Sequence, residues 1–126
     1  MSRIPQSLFD AAAVNRPLRG RVAIAGAATY GCGEAPGMDD MTLLVRAAQA
    51  AVQDAGLSMQ DIDGLATCSV NATMWPMPVI EHLGINPHYV NGTMIGGSSF
   101  IAHLLPSIMA LEAGQCKHVL VCYGSN

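Results

Sequence analysis

The residues whose types and spacing are best suited to chemistry are Gly96, Gly97, Ser98 and Ser99, which stand directly before an apolar run at 100–113. Glycines let a ligand approach the main chain closely. A helix opening at this point presents unpaired N–H donors and about half a unit of positive charge. Serine hydroxyls add movable donors and acceptors. Such a place suits a carboxylate, a phosphate or the oxyanion of an acyl transfer, and it would ionise a cysteine placed there. The same four residues also make an ordinary turn and cap, and the sequence leaves both readings open.

Other chemistry-bearing residues are scattered. Cys32, Cys68, Cys116 and Cys122 show no C-x-x-C spacing and no histidine at zinc-site distance. They read as reduced thiols of a cytoplasmic protein, with Cys68 and Cys122 packed at strand positions. His82, His88, His103 and His118 form no ligand pattern, and Glu81 and His82 are consecutive, so they do not share a helix face. No metal site is expected. His103 is expected to be a hydrogen-bonded core or interface histidine. Met74, Met77 and Met94 with Trp75 fit either the lining of a fatty-ligand tunnel or plain loop packing. Gly26, Gly31 and Gly33 do not make G-x-G-x-x-G, which argues against a dinucleotide site.

These residues need a scaffold, and 126 residues supply one domain or part of one. Only 12% of residues are charged, with 6 basic and 9 acidic side chains, while 51% are hydrophobic. That balance excludes a disordered tail and a nucleic-acid binder. It is not the composition of a disulfide-stapled mini-protein either. There is no continuous apolar leader. The most apolar window, 93–111, holds three serines, a histidine and a proline, so no membrane span is expected. Between Asp63 and Glu112 the only charged side chain is Glu81. A solvated surface recruits far more charge, so this half is expected to form the inner layer of something larger.

Breakers and periodicity give the order of elements. Residues 1–20 are expected to be a flexible lead-in, and 21–126 a partial domain. Residues 21–25 (RVAIA) read as a strand, and 27–37 as a glycine-rich loop. Apolar positions from Met41 to Ala55 recur on one helix face, with Asp39 or Asp40 as cap and Gly56 past the end. A single turn at 59–63 precedes a strand at 64–68. An irregular stretch follows at 69–78, then a short helix at 79–83. A strand starts at 89–91, a helix apolar on every face runs over 100–113 with a kink at Pro106, and 118–122 (HVLVC) is a strand. The alternation predicts an α/β fold with a mostly parallel buried sheet and a central buried helix.

The run VNGTMIGGSSFIAHL, 90–104, resembles the nucleophile segment of the thiolase superfamily. RVAIAGAATYG at 21–31 is similar to that family's first strand and loop. The Asp-Ala-Gly-Leu ending of the first helix with GLSMQDIDGLATCS, and HVLVCYGSN at 118–126, resemble later segments in the same order. The likeness is nearest to the lipid-transfer-protein or sterol-carrier-like thiolases, the acetyl-CoA acetyltransferase type. It implies an incomplete thiolase-like half-domain, an acyltransferase activity in the whole protein, and a coenzyme A thioester as substrate with no bound cofactor. It also implies a homodimer paired along 89–94. Arg16, Arg19 and Arg21 suit either contact with a CoA phosphate or, more simply, solvation of the flexible lead-in. The register places Gly96 where the family carries its cysteine, and glycine forms no acyl-enzyme. Thiolase-like proteins without that cysteine act as retro-aldolases on acyl-CoA side chains with an OB-fold zinc-ribbon partner. A non-catalytic lipid or acyl-CoA binder is the remaining alternative. The family's general-base histidine and second cysteine belong to the C-terminal half, so these residues alone are expected to be inactive.

Overall fold

The computed structural model describes residues 18–126. The expected lead-in, except its last three residues, lies outside them. The first helix, α1 (Asp40–Asp54), begins where the sequence placed it. The Asp39 carboxylate accepts from Thr42 N at 2.7 Å and caps the first turn. Gly56, at φ 71°, follows the helix in the left-handed conformation that ends such segments. Leu43, Leu44, Ala48 and Val52 form the buried face. A 3-10 turn at Met59–Asp61 is closed by Ser58 and Asp61 in a reciprocal capping box.

Three short strands follow: β1 (Gly64–Ala66), β2 (Tyr89–Asn91) and β3 (Val119–Val121). They form one parallel sheet in the order β2-β1-β3, with Leu65 opposite Val90 on one side and Leu120 on the other. The central strand is wholly buried, as its unbroken apolar sequence requires.

Between β1 and β2 lies α2 (Pro76–Leu83), which starts three residues before the sequence reading placed it. Pro76 and Pro78 look like breakers. In the first turn, however, the missing N–H has no intrahelical acceptor to lose, and the fixed φ favours the helix.

Leu44, Ala48 and Val52 of α1, Val79 and Leu83 of α2, and Leu65, Leu120 and Cys122 of the sheet make one core. Each buried leucine or valine among them stabilises the fold by about 1.5–3 kcal/mol. Gly124 continues the parity of Leu120 and Cys122, and its main chain lies against Asp40 and Leu44 of α1 so closely that a Cβ would collide. Tyr123 has the opposite parity and stacks at 4.8 Å on Phe100. The sheet therefore has α1 and α2 on one face and the 99–112 segment on the other.

That segment is the first departure from expectation. It is not one helix but two, α3 (Ser99–Ala102) and α4 (Leu104–Glu112), separated at His103. Pro106 supplies the cause, since it cannot donate to the carbonyl of Ala102. Nor is the segment buried on all sides within these residues. Its inward face carries Ser99, His103, Ser107 and Ala110, while Ile101 is 73%, Leu105 56% and Met109 58% exposed.

The second departure is at 21–25. Arg21 ends a turn and residues 22–25 form no strand, and Ile24 is 84% exposed. A strand exists only through its pairing, and these residues find no sheet neighbour among the described residues.

Candidate functional site

The turn at Gly96–Ser99 is built from a few hydrogen bonds on a buried side chain. Ser99 is fully buried. Its hydroxyl donates to Gly96 O at 2.6 Å and accepts from Ile95 N at 2.8 Å, so it ties both ends of the turn together. Ser99 N adds a bond to Gly96 O at 3.1 Å. One helical turn onward, His103 is also fully buried and its Nε2 lies 2.8 Å from Thr93 O. Phe100 meets the imidazole edge-on at 5.8 Å. Ser107 closes the row, donating to His103 O at 2.7 Å. The polar face of a short apolar helix thus holds the 93–96 loop in place.

The outer side of the turn is open. Gly96 has φ 85°, a conformation that disfavours any side chain, and a Cβ built on Gly96 or Gly97 would meet nothing within 4 Å. Ser98 is exposed. Ser98 and Ser99 therefore divide the work: Ser99 is structural and Ser98 faces outward. The four candidate residues form one turn whose outer side is open to solvent and carries no thiol.

None of the buried cysteines replaces one. Burial pushes the Cys122 thiol up to about 12. Burial, and then the Asp63 carboxylate, raises Cys116 as well. Cys68 is 3% exposed, and Cys32 is exposed in the glycine-rich loop. No group of three or more potential metal ligands assembles among the described residues. His82 is occupied by the carbonyl of Pro78 at 2.8 Å, and His118 Nδ1 lies 3.0 Å from Asp61 O. Arg21 pairs with Glu112 at 3.1 Å, and Arg16 lies outside the described residues.

A groove of about 760 Å³ runs beside the turn, between the 68–77 loop and the end of β2. Met74, Met77 and Met94 line it with Trp75, whose indole Nε1 is buried without a partner among the described residues. The methionines singled out in the sequence do therefore share one surface.

What the sequence reading missed is the His103 clamp on Thr93. The residues are ten apart and nothing local links them. The recurrence of Ser99, His103 and Ser107 every fourth residue in an otherwise apolar run was the available signal.

Solved structures carry the same fold. A structure of the Ltp2-ChsH2(DUF35) aldolase superposes with a TM-score of 0.70 at 28% identity, over 79% of this chain and 26% of that one. The fold is thiolase-like. A monomeric SCP2-thiolase-like protein from Mycobacterium smegmatis matches with a TM-score of 0.63 at 25% identity, over 78% of this chain and 22% of that one. Cerulenin-bound OleA of Xanthomonas campestris matches with 0.63 at 22% identity, over 71% and 28%. The chain thus spans about a quarter of the length of these thiolase-like structures. No family model and no curated protein sequence matches it. No helix among the described residues is long and apolar enough to cross a membrane.

Proposed function

We propose that this chain is the N-terminal part of a thiolase-like protein that binds an acyl-CoA thioester and breaks a carbon–carbon bond in its acyl side chain by a retro-aldol reaction. The observation that supports this reading is Gly96: the turn, open on its outer side, carries no thiol at that position, and Cys68, Cys116 and Cys122 are buried. Acyl transfer through a cysteine thioester needs a group this turn does not offer. A retro-aldol step needs none. A base takes the proton of the β-hydroxyl, the Cα–Cβ bond breaks as the carbonyl forms, and its electron pair passes into the thioester as an enolate. The enolate carbon then takes a proton.

The role of these residues is to receive the enolate oxygen. Main-chain N–H groups of Gly97 and Ser98 are the donors, and an exposed Ser98 hydroxyl adds a third. Pre-aimed donors of this kind typically contribute a factor of about 10²–10³ in rate each. The proton-transfer groups belong to polypeptide outside these residues. The methionine groove takes the acyl chain, the free edge of β2 pairs with a second copy, and an OB-fold zinc-ribbon protein completes the assembly, as the resemblance to thiolase-like proteins without the cysteine implies.

The test is to follow carbon–carbon cleavage of a β-hydroxyacyl-CoA by the full-length protein, with and without candidate zinc-ribbon partners. Saturable binding without turnover in every combination would overturn the reading in favour of a binding protein. A second test addresses the placement of the turn. Gly96→Cys should give a thiol alkylated by iodoacetamide about tenfold or more faster than an unperturbed thiol near neutral pH, because the site lowers its pKa. An inert thiol would show that the turn is not aimed at a reacting centre.

A further inference from the structure

Residues 92–98, which join β2 to α3, are all exposed. Ile95 is 60% and Met94 40% exposed, so apolar burial does not hold this loop. Its place depends on polar ties. Thr93 N donates to Asn91 Oδ1 at 2.9 Å, and the Ser99 hydroxyl binds Ile95 N and Gly96 O. Those ties span two to four residues and give the loop its local shape. His103 reaches ten residues back, from the break between α3 and α4, to the carbonyl of Thr93.

The chemistry of that contact is fixed by its acceptor. A carbonyl oxygen only accepts, so the imidazole proton is on Nε2 and Nδ1 is left as an acceptor. Nδ1 is buried and has no partner among the described residues. A fully buried polar ring with one nitrogen unmatched is unfavourable, and a leucine in the same apolar run would avoid the loss. The choice of histidine is therefore explained by what the ring holds and not by packing.

The ring is itself well supported. His103 N donates to Ser99 O at 2.8 Å, and His103 O accepts from both Ser107 N at 3.1 Å and the Ser107 hydroxyl at 2.7 Å. Phe100 packs edge-on against the imidazole and also against Tyr123, just beyond β3. A line of contacts thus runs from the sheet through Phe100 and His103 to Thr93, three residues before Gly96. Side chains locked in this way can hold a site to within a fraction of an ångström.

We propose that His103 is a positioning residue: through the Thr93 carbonyl it sets where the Gly96 turn stands, and so where the N–H groups of Gly97 and Ser98 point. A displacement of about 1 Å at a reacting centre can cost about a hundredfold in rate, which gives so remote a contact its leverage. This role rests on the retro-aldol reading for its chemistry and on geometry alone for the tether.

The experiment compares His103→Phe and His103→Gln in the full-length protein. Phenylalanine fills the space without a donor, whereas glutamine keeps a donor of similar reach. Ring-nitrogen NMR of the unaltered protein should find the His103 proton on Nε2. In His103→Phe, amide exchange over 94–97 should quicken about tenfold while α1 keeps its protection. With a β-hydroxyacyl-CoA, kcat should fall about 10–100-fold and KM should stay within about twofold. His103→Gln should recover most of both losses. A proton on Nδ1, or unchanged exchange over 94–97 in His103→Phe, would overturn the tether. Equal losses in the two variants, or a loss of protection shared with α1, would reduce His103 to ordinary core packing and overturn it too. An unchanged kcat in a loosened loop would overturn the positioning role. Absence of carbon–carbon cleavage by the unaltered protein would sink the retro-aldol reading by itself, and the ring proton and loop exchange would still decide the tether.

Discussion

Two helices on opposite faces of the same sheet are built with opposite polarity. α1 turns Leu44, Ala48 and Val52 inward, and its polar residues outward. The 99–112 segment turns Ser99, His103 and Ser107 inward and leaves Ile101, Leu105 and Met109 in the open. The first helix has found its apolar partners within these residues and is finished. The second has spent its inward face on fixing the Gly96 turn, so its apolar stripe is free for a further layer. Stability and function are thus separated by face, and mutations on the two should behave differently.

The largest contrast is expected at Leu44, which is fully buried. Leu44→Ala should cost about 3 kcal/mol, by lost burial and the cavity left behind, as read from urea denaturation. A cost below about 1 kcal/mol would mean that α1 is not the organising helix.

Asp63 gives an intermediate effect. Its carboxylate accepts from Lys117 N at 2.9 Å and His118 N at 2.8 Å, at the entry to β3. Asp63→Ala should cost about 1–2 kcal/mol, because two N–H donors lose their acceptor. Burial works to raise this carboxyl, but the main-chain donors of His118 and Lys117 outweigh it and hold its pKa below 3.8. The folded pKa is depressed, so the contribution is present above 3.8 and fades as pH falls from there through the folded value. The variant should lose that part of the acid dependence. A melting profile with the same slope below pH 4 in both proteins would contradict the assignment.

The smallest effect belongs to the other face. Ile101→Lys should change the stability of the 126-residue chain by less than about 0.5 kcal/mol, since the side chain is already exposed. In the full-length protein the same change should be severe. Equal effects in the two settings would erase the contrast between the helices.

The sequence was most legible where local signals agreed. Asp39, the apolar face from Met41 and Gly56 place α1 to within one residue, because cap, period and stop reinforce each other. The parallel sheet was legible from the order of elements, and the thiolase-like fold from the resemblance of segments such as 90–104 to that superfamily. Residues 21–25 were misread for a physical reason: valine and isoleucine declare a preference for extended backbone, but only a neighbour makes a strand, and no composition reveals it. Pro76 and Pro78 misled because a proline's effect depends on its position in the turn. At the candidate site, the glycines and serines announced the turn. The division between a structural Ser99 and an outward Ser98 was not announced, since it depends on three-dimensional burial. The helix looked apolar on every face; His103 was legible as a hydrogen-bonded core residue, but Ser99 and Ser107 were not weighed as sharing its inward face.

Asp63 carries one more consequence. Its carboxylate fastens the start of β3, while its own carbonyl accepts from His88 N at 2.7 Å beside β2. One residue thus sets the alignment of both outer strands against the middle one. Lengthening the chain by a single residue between Ile62 and Gly64 would slide the whole ladder out of step, with a penalty far beyond that of any one contact.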